Sequence, residues 1–211
     1  MHSFSIKESI RFAWEKFKTQ PAFLIAIIIT PQVFQALLNI VTGGPLGKEN
    51  PVFAGLLMFV VFVVTFILSI GIIKVYLKVE SGQEVEYREI AAHGNLFFKY
   101  LFGSILRGLI TIGGLILFII PGIYFAIRLS PQPALIIDKG LGPVDSIKEA
   151  WRMTKGEGWH LLKFGLVLIL LNIVGLLALV VGLLVTTPVT LLASLHVYRK
   201  LLGKTVSVPV V

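Results

Sequence analysis

The sequence predicts an all-α, polytopic integral membrane protein with about six transmembrane helices in three hairpins, each preceded by an amphipathic interfacial helix. Three observations carry this. Of 211 residues, 56% are hydrophobic and 14% charged, against roughly 45–50% and roughly 25% in soluble domains. The apolar residues gather into uncharged runs of 20 residues or more, the length a helix needs to cross a hydrocarbon core about 30 Å thick. The cations gather between the runs, so that if each apolar block is a hairpin only Lys48 falls on the opposite side, the asymmetry expected of short cytoplasmic loops.

The elements follow in order. Lys7, Glu8, Arg11, Glu15, Lys16 and Lys18 stand where a cleaved signal peptide would need an apolar stretch, so the N-terminal segment is expected to be retained. Ile6, Ile10, Ala13, Trp14 and Phe17 recur at helical spacing, an amphipathic helix along the bilayer surface. Ala22 to Val41 is the first span. Gly43, Gly44, Pro45 and Gly47 then make a turn-rich loop carrying Lys48. Val52 to Ile73 is the second span, ended by Lys74 and Lys78. Phe164 to Tyr198 has no charge over 35 residues, too long for one crossing at ordinary tilt. It is expected to fold back at Gly182, with Thr186, Thr187 and Pro188 breaking the pattern beyond.

The middle block allows two topologies. Gly108 to Ile137 is interrupted only by Arg128, with Pro121-Gly122 near its centre and Pro131 and Pro133 later. It is either a hairpin turning at Pro121-Gly122 or one kinked span followed by an interfacial stretch. The second, five-span arrangement places Lys139, Lys148, Arg152, Lys155 and Lys163 outside, so cation placement favours six spans with both termini cytoplasmic.

An internal repeat is visible. Glu8-Ser9-Ile10-Arg11, then Ala13-Trp14 and Lys18, matches Asp145-Ser146-Ile147-Lys148, then Ala150-Trp151 and Lys155, at the same spacing. Each copy starts with an acid and a serine and ends with a cation, as a short helix prefers. A weaker equivalent runs from Glu84 through Arg88, Ile90, Phe97 and Lys99. One membrane domain, residues 1–211, is therefore read as three units of approximately 1–80, 81–138 and 139–204.

No catalytic constellation stands out. The chain has no cysteine, which excludes disulfides, thiolate metal sites and cysteine nucleophiles. His2, His93, His160 and His196 are scattered, without the spacing of a helix-borne metal site. Neither a Gly-x-Ser-x-Gly elbow nor a Walker loop occurs. Metals and cofactors are not expected. The formal charge of +8 is read as membrane orientation and attraction to anionic headgroups, not as nucleic-acid binding.

The candidates are polar groups within apolar runs. Gln32, Gln35 and Asn39 fall on one face of the first span, and Asn172 is a further intramembrane amide. Amides in hydrocarbon need partners, met either by inter-helix hydrogen bonds or by a solute path. Arg128 is the sharpest candidate: it is either buried against Gln32, Gln35, Asn39 or a lipid phosphate, or it snorkels to an interface. Trp14 and Trp151 are read as interfacial anchors, with Lys148, Arg152 and Lys155 as lipid-headgroup contacts. Ser104 and Gly108, four apart, suggest a close helix contact.

The stretch Ile120-Pro121-Gly122-Ile123, Ala126, Arg128, Ile136-Ile137-Asp138, Ser146-Ile147-Lys148-Glu149-Ala150, Thr154-Lys155-Gly156 and Trp159, closing with Pro188, Ala193, Tyr198 and Leu201, resembles the membrane domain of membrane-anchored glycerophosphodiester phosphodiesterases and the related YciC-like integral membrane proteins. The resemblance implies a polytopic helical domain in a prokaryotic plasma membrane. It implies no catalysis, because in those phosphodiesterases the chemistry belongs to a separate soluble barrel for which these 211 residues leave no room. No catalytic residue carries over. The expected function is a non-catalytic membrane module that binds lipid or a membrane-protein partner, with homo-oligomerisation open; the alternative is a small-solute translocator using the amide stripe and Arg128. An intramembrane enzyme is the least supported class.

Overall fold

The computed structural model describes residues 3–43, 50–91, 93–178 and 181–206, and every regular element among them is helical. In order these are α1 (Ile6–Thr19), α2 (Pro21–Gly43), α3 (Pro51–Glu80), two 3-10 turns (Tyr87–Ala91 and Gly94–Leu96), α4 (Phe97–Leu117), α5 (Ile119–Arg128), α6 (Gln132–Lys139), α7 (Pro143–Met153), α8 (Gly158–Leu177) and α9 (Leu183–Val206). Among the described residues four helical stretches are long and apolar enough to cross a membrane: Pro21–Ile40, Val52–Glu80, Tyr87–Leu117 and Gly158–Leu177. The chain is thus an all-helical membrane protein. The expected loop around Gly44, Pro45, Gly47 and Lys48, like His2, lies outside the described residues.

The two short helices α1 and α7 share an acid in the first turn and a cation in the last, but α7 starts at Gly142-Pro143 without a side-chain cap. Ser5 caps α1 by accepting from the Glu8 amide at 3.4 Å, with Glu8 in the first turn and Lys16 and Lys18 in the last, which complements the helix dipole. α1 buries Ser9, Ala13 and Phe17; α7 buries Ser146, Ala150 and Met153. The serine and alanine positions are those that match in the two sequence copies. The expected middle surface helix is different: the chain there makes only the two short 3-10 turns. The Ile90 carbonyl is pressed onto Gly71 of α3, where even a Cβ would lie 1.7 Å from the oxygen, and the segment is held there also by the buried Ile90 side chain and the Lys78–Glu89 ion pair.

α2 packs against α3, and the Tyr76 hydroxyl donates to the Leu24 carbonyl at 2.9 Å. In the middle block α4 packs against α5. The reversal falls at Phe118, whose backbone is extended (φ −161°, ψ 146°), and not at Pro121-Gly122. Pro121 instead sits in the first turn of α5, where a missing amide proton costs nothing. Gly122 lets the two helices touch: a Cβ there would lie 2.6 Å from the Leu115 nitrogen.

The return leg is broken. α5 is 10 residues and α6 8, interrupted where Pro131 and Pro133 remove backbone donors. α6 then runs beside the start of α4, with Gly103 against Gln132 and Ile136. The close contact expected at Ser104 and Gly108 therefore falls one residue before Ser104; Gly108 has open space around it.

α8 and α9 pack together, with a Cβ at Gly182 meeting the Gly175 carbonyl at 2.4 Å. Thr186, Thr187 and Pro188 lie inside α9 instead of breaking it. α1 packs on α9, which brings the two ends of the chain together. The core sits at that end: Ala13, Leu24, Ile70, Leu135, Leu192 and Leu201 are fully or almost fully buried. At the opposite end the apolar tips are open, with Ile40 72%, Ile116 80%, Ile120 80% and Leu177 78% exposed.

Candidate functional site

The polar chemistry is concentrated at the end of the bundle where the core and most cations lie. Its first centre is Arg128, only 6% exposed. The guanidinium donates from Nε to Thr154 Oγ1 at 3.1 Å, from Nη1 to the Tyr124 hydroxyl at 3.2 Å, and from Nη2 to the Trp151 carbonyl. Its carbon lies 3.8 Å from the centre of the Trp151 ring, a cation–π contact. The Trp151 carbonyl is in the last turn of α7, where orphan carbonyls favour a cation.

This corrects the expected partners of Arg128. The partners the guanidinium finds are Thr154, Tyr124 and the Trp151 carbonyl, and not Gln32, Gln35 or Asn39. The reason is geometric. Arg128 is about ten residues, or roughly 15 Å of helix, from the Phe118 tip, which sets it beside the end of α7 and away from the amides of α2. Trp151 accordingly does more than anchor: it is 38% exposed and forms one wall of this cage. Trp14, 45% exposed, stacks on Phe17 at 5.7 Å.

The second centre went unread in the sequence. Glu80 from the end of α3 pairs with His196 Nδ1 at 3.0 Å and with Arg199 Nε at 3.4 Å, both on α9. Asp138 of α6 pairs with Arg199 Nη1 at 3.4 Å and accepts from the Tyr198 hydroxyl at 2.9 Å. The two carboxylates are 8% and 11% exposed. Phe12 of α1 stacks on the His196 ring at 4.0 Å, so four elements meet here. Each carboxylate lies 60 to 119 positions from the α9 side chains it meets, and no local spacing signals the cluster. The only legible hint was a carboxylate at the edge of an apolar run, Asp138.

Two cavities adjoin these centres. One of about 260 Å³ opens along the Pro131 break, lined by Ile127, Pro131, Phe164, Leu168, Leu195 and Tyr198; its walls are apolar apart from hydroxyls. The other is an open groove of about 480 Å³ lined by Leu135, Lys139, Leu141, Lys148, Arg152 and Leu202, with Asp145 and Glu149 beside them. Lys148 and Arg152 thus share the groove, whereas Lys155 is exposed but does not line it. Arg152 is held by Glu149 at 2.8 Å and 2.9 Å, a hydrogen bond and charge that raise its pKa further above the ordinary value. Among the described residues Lys148 makes no ion pair, while Lys139 is 3.7 Å from Asp138.

The amide stripe is remote from both centres. Gln32, Gln35 and Asn39 are exposed on α2, and the Gln35 amide reaches Asn39 Oδ1 at 3.5 Å. A groove of about 460 Å³ between α2 and α3 is lined by Gln35, Asn39, Thr65 and Ser69 among apolar side chains. Asn172 on α8 stands apart, donating to the Leu168 carbonyl at 3.0 Å, with its own oxygen buried and unpartnered. Among the described residues no group of histidines and carboxylates has the arrangement to hold a metal ion.

Comparison with known proteins finds three curated relatives, one from Mycobacterium bovis and two from strains of Mycobacterium tuberculosis, each described only as an uncharacterised protein. Each is 30% identical over 155 residues, 71% of this chain and 47% of the relative. The chain thus spans about half the length of the curated relatives it matches. No family model and no solved structure matches it.

Proposed function

We propose that this chain is a non-catalytic module of a prokaryotic plasma membrane that holds anionic lipid at its cation-rich, cytoplasmic end. The observation that carries the reading is the groove beside α7, where Lys139, Lys148 and Arg152 outnumber the carboxylates Asp145 and Glu149 and stand over apolar Leu135, Leu141 and Leu202. A phospholipid needs both features, cations for its phosphate and hydrocarbon for its chains. The mycobacterial relatives support a prokaryotic setting. In this reading three hairpins enter the membrane from one face, and both termini stay on it. α2–α3 and α8–α9 cross fully. α4–α5 reaches only about 15 Å beyond Arg107 and Arg128, half of a core about 30 Å thick. The resemblance to the membrane domain of the anchored phosphodiesterases fits a module without chemistry of its own.

The test is phosphatidylglycerol binding by the detergent-purified chain, read by native mass spectrometry. Lys139→Gln with Lys148→Gln lowers affinity about tenfold to thirtyfold, at roughly 1 kcal/mol per interfacial cation. Lys155→Gln, outside the groove, serves as the control. Equal losses in both variants reduce the effect to general surface charge and remove the groove from the reading.

A further inference from the structure

Arg107 is an intramembrane charge that the fold leaves uncommitted. It stands in the middle of α4, ten residues and roughly 15 Å from either end, inside the candidate span Tyr87–Leu117. It does not look outward. The lipid-facing stripe of α4 is Phe98, Phe102, Ile105, Leu109 and Ile112, all exposed, and helical periodicity puts Arg107 on the opposite side. Four residues before it, Gly103 lies against Gln132 and Ile136 of α6; seven after it, Gly114 lies against Phe125 of α5. Tyr100, seven residues before it, packs on Phe66 of α3 at 5.1 Å. The guanidinium is thus turned into the bundle between α3, α5 and α6, where it is half-buried. Among the described residues it makes neither a hydrogen bond nor an ion pair.

The chain does not supply its counter-charge. No Asp or Glu occurs between Ile90 and Ile137, or in α3 before Glu80. The acids that bound these stretches are engaged: Glu89 with Lys78 at 2.5 Å, Glu80 with His196 and Arg199, Asp138 with Arg199 and Tyr198. A guanidinium cannot shed its charge by losing a proton, and an unpaired charge within an apolar segment is costly. We infer that Arg107 binds the phosphate of a membrane phospholipid on the inward face of α4, a lipid site separate from the α7 groove. Long side chains on a helix lean toward its N-terminus, which carries the guanidinium toward Ser104 and Tyr100. Their hydroxyls make no hydrogen bond among the described residues and can donate to the same anion. The guanidinium fork matches phosphate oxygens, and basic clefts between membrane helices accept lipid headgroups. The surroundings select a lipid over free phosphate: Phe66, Phe125 and Ile136 offer hydrocarbon to acyl chains, whereas a bare anion would lose its hydration with nothing to compensate.

The test uses the chain carrying Lys139→Gln and Lys148→Gln, purified in detergent and titrated with phosphatidylglycerol, so that the α7 groove contributes little. Native mass spectrometry still shows bound phospholipid, and adding Arg107→Gln lowers the remaining affinity about fivefold or more. Arg107→Lys, which keeps the charge but not the fork, falls between. Melting separates a ligand site from a structural contact. Without lipid, Arg107→Gln melts no lower than its parent, because the guanidinium has no partner in the protein to lose; with lipid added, the parent's melting temperature rises and the variant's does not. Millimolar inorganic phosphate leaves the lipid bound. A parent that binds no phospholipid, a variant that binds it equally well, or a variant that melts lower before lipid is added overturns the inference. Displacement by inorganic phosphate assigns the guanidinium to a soluble anion and overturns it too. The effect of Lys139→Gln with Lys148→Gln is read beforehand, so failure of either lipid site leaves the other standing.

Discussion

Arg128 shows how one side chain changes meaning with its surroundings. Within an apolar run it is an expensive intramembrane charge; in the fold it is the last residue of α5 and closes the C-terminal turn of α7. Replacing it with leucine removes bonds to Thr154, Tyr124 and the Trp151 carbonyl. The expected loss is about 2–3 kcal/mol, a fall of roughly 4–12 °C in the detergent melting temperature, with topology unchanged. Lysine should rescue only part of this, because an ammonium cannot reproduce a planar fork stacked on indole. Glycines divide as sharply. Gly71→Ala forces a Cβ into the Ile90 carbonyl and is expected to cost at least about 1–3 kcal/mol, whereas Gly165→Ala, with nothing within 4 Å, should leave the melting temperature unchanged.

The helices differ in how their ends are held. α6 ends at Gly140 in the left-handed conformation (φ 65°), a position that glycine takes without strain, and Lys99 of α4 donates to the Gly140 carbonyl at 2.8 Å. α1 is held by Ala13, which is fully buried, and by the Phe12–His196 stack. Ala13→Leu is therefore expected to lift α1 from α9. Limited proteolysis should then cleave near residue 20 in the variant while the unmodified chain resists. Loss of α1 docking without loss of α2–α3 packing would mark the surface helix as an independently detachable element; simultaneous loss would make it part of the folding core. The first outcome is expected, because α2 and α3 keep the Tyr76–Leu24 bond and their own apolar seam.

The architecture is asymmetric from end to end, and that asymmetry gives the topology test. Single cysteines at Lys48, Pro121, Gly182 and Lys204 can be labelled from outside with a membrane-impermeant reagent. Positions 48 and 182 should react and 204 should not. Position 121 should stay unreactive if the middle hairpin ends within the bilayer, and react if it crosses completely. Labelling at 204 would require an odd number of crossings and overturn the three-hairpin reading.

Much of this could be read directly from the chain. Uncharged runs longer than a bilayer is thick require hydrocarbon, and short amphipathic stretches such as Ile6–Thr19 carry their periodicity and cap locally. The turns were legible to within a few residues: Gly182 sits in the turn between α8 and α9, while the Phe118 reversal precedes Pro121 because proline tolerates the first turn of a helix better than its end. The pairing of Glu80 with His196 and Arg199 with Asp138, and the burial of Arg128 against α7, were decided only by tertiary packing. These contacts join distant residues, and no pattern of spacing along one helix records which other helix will lie beside it. The exposed amides of α2 belong to both levels: their face follows from helical periodicity, but their outward direction follows from where α3 and α9 pack.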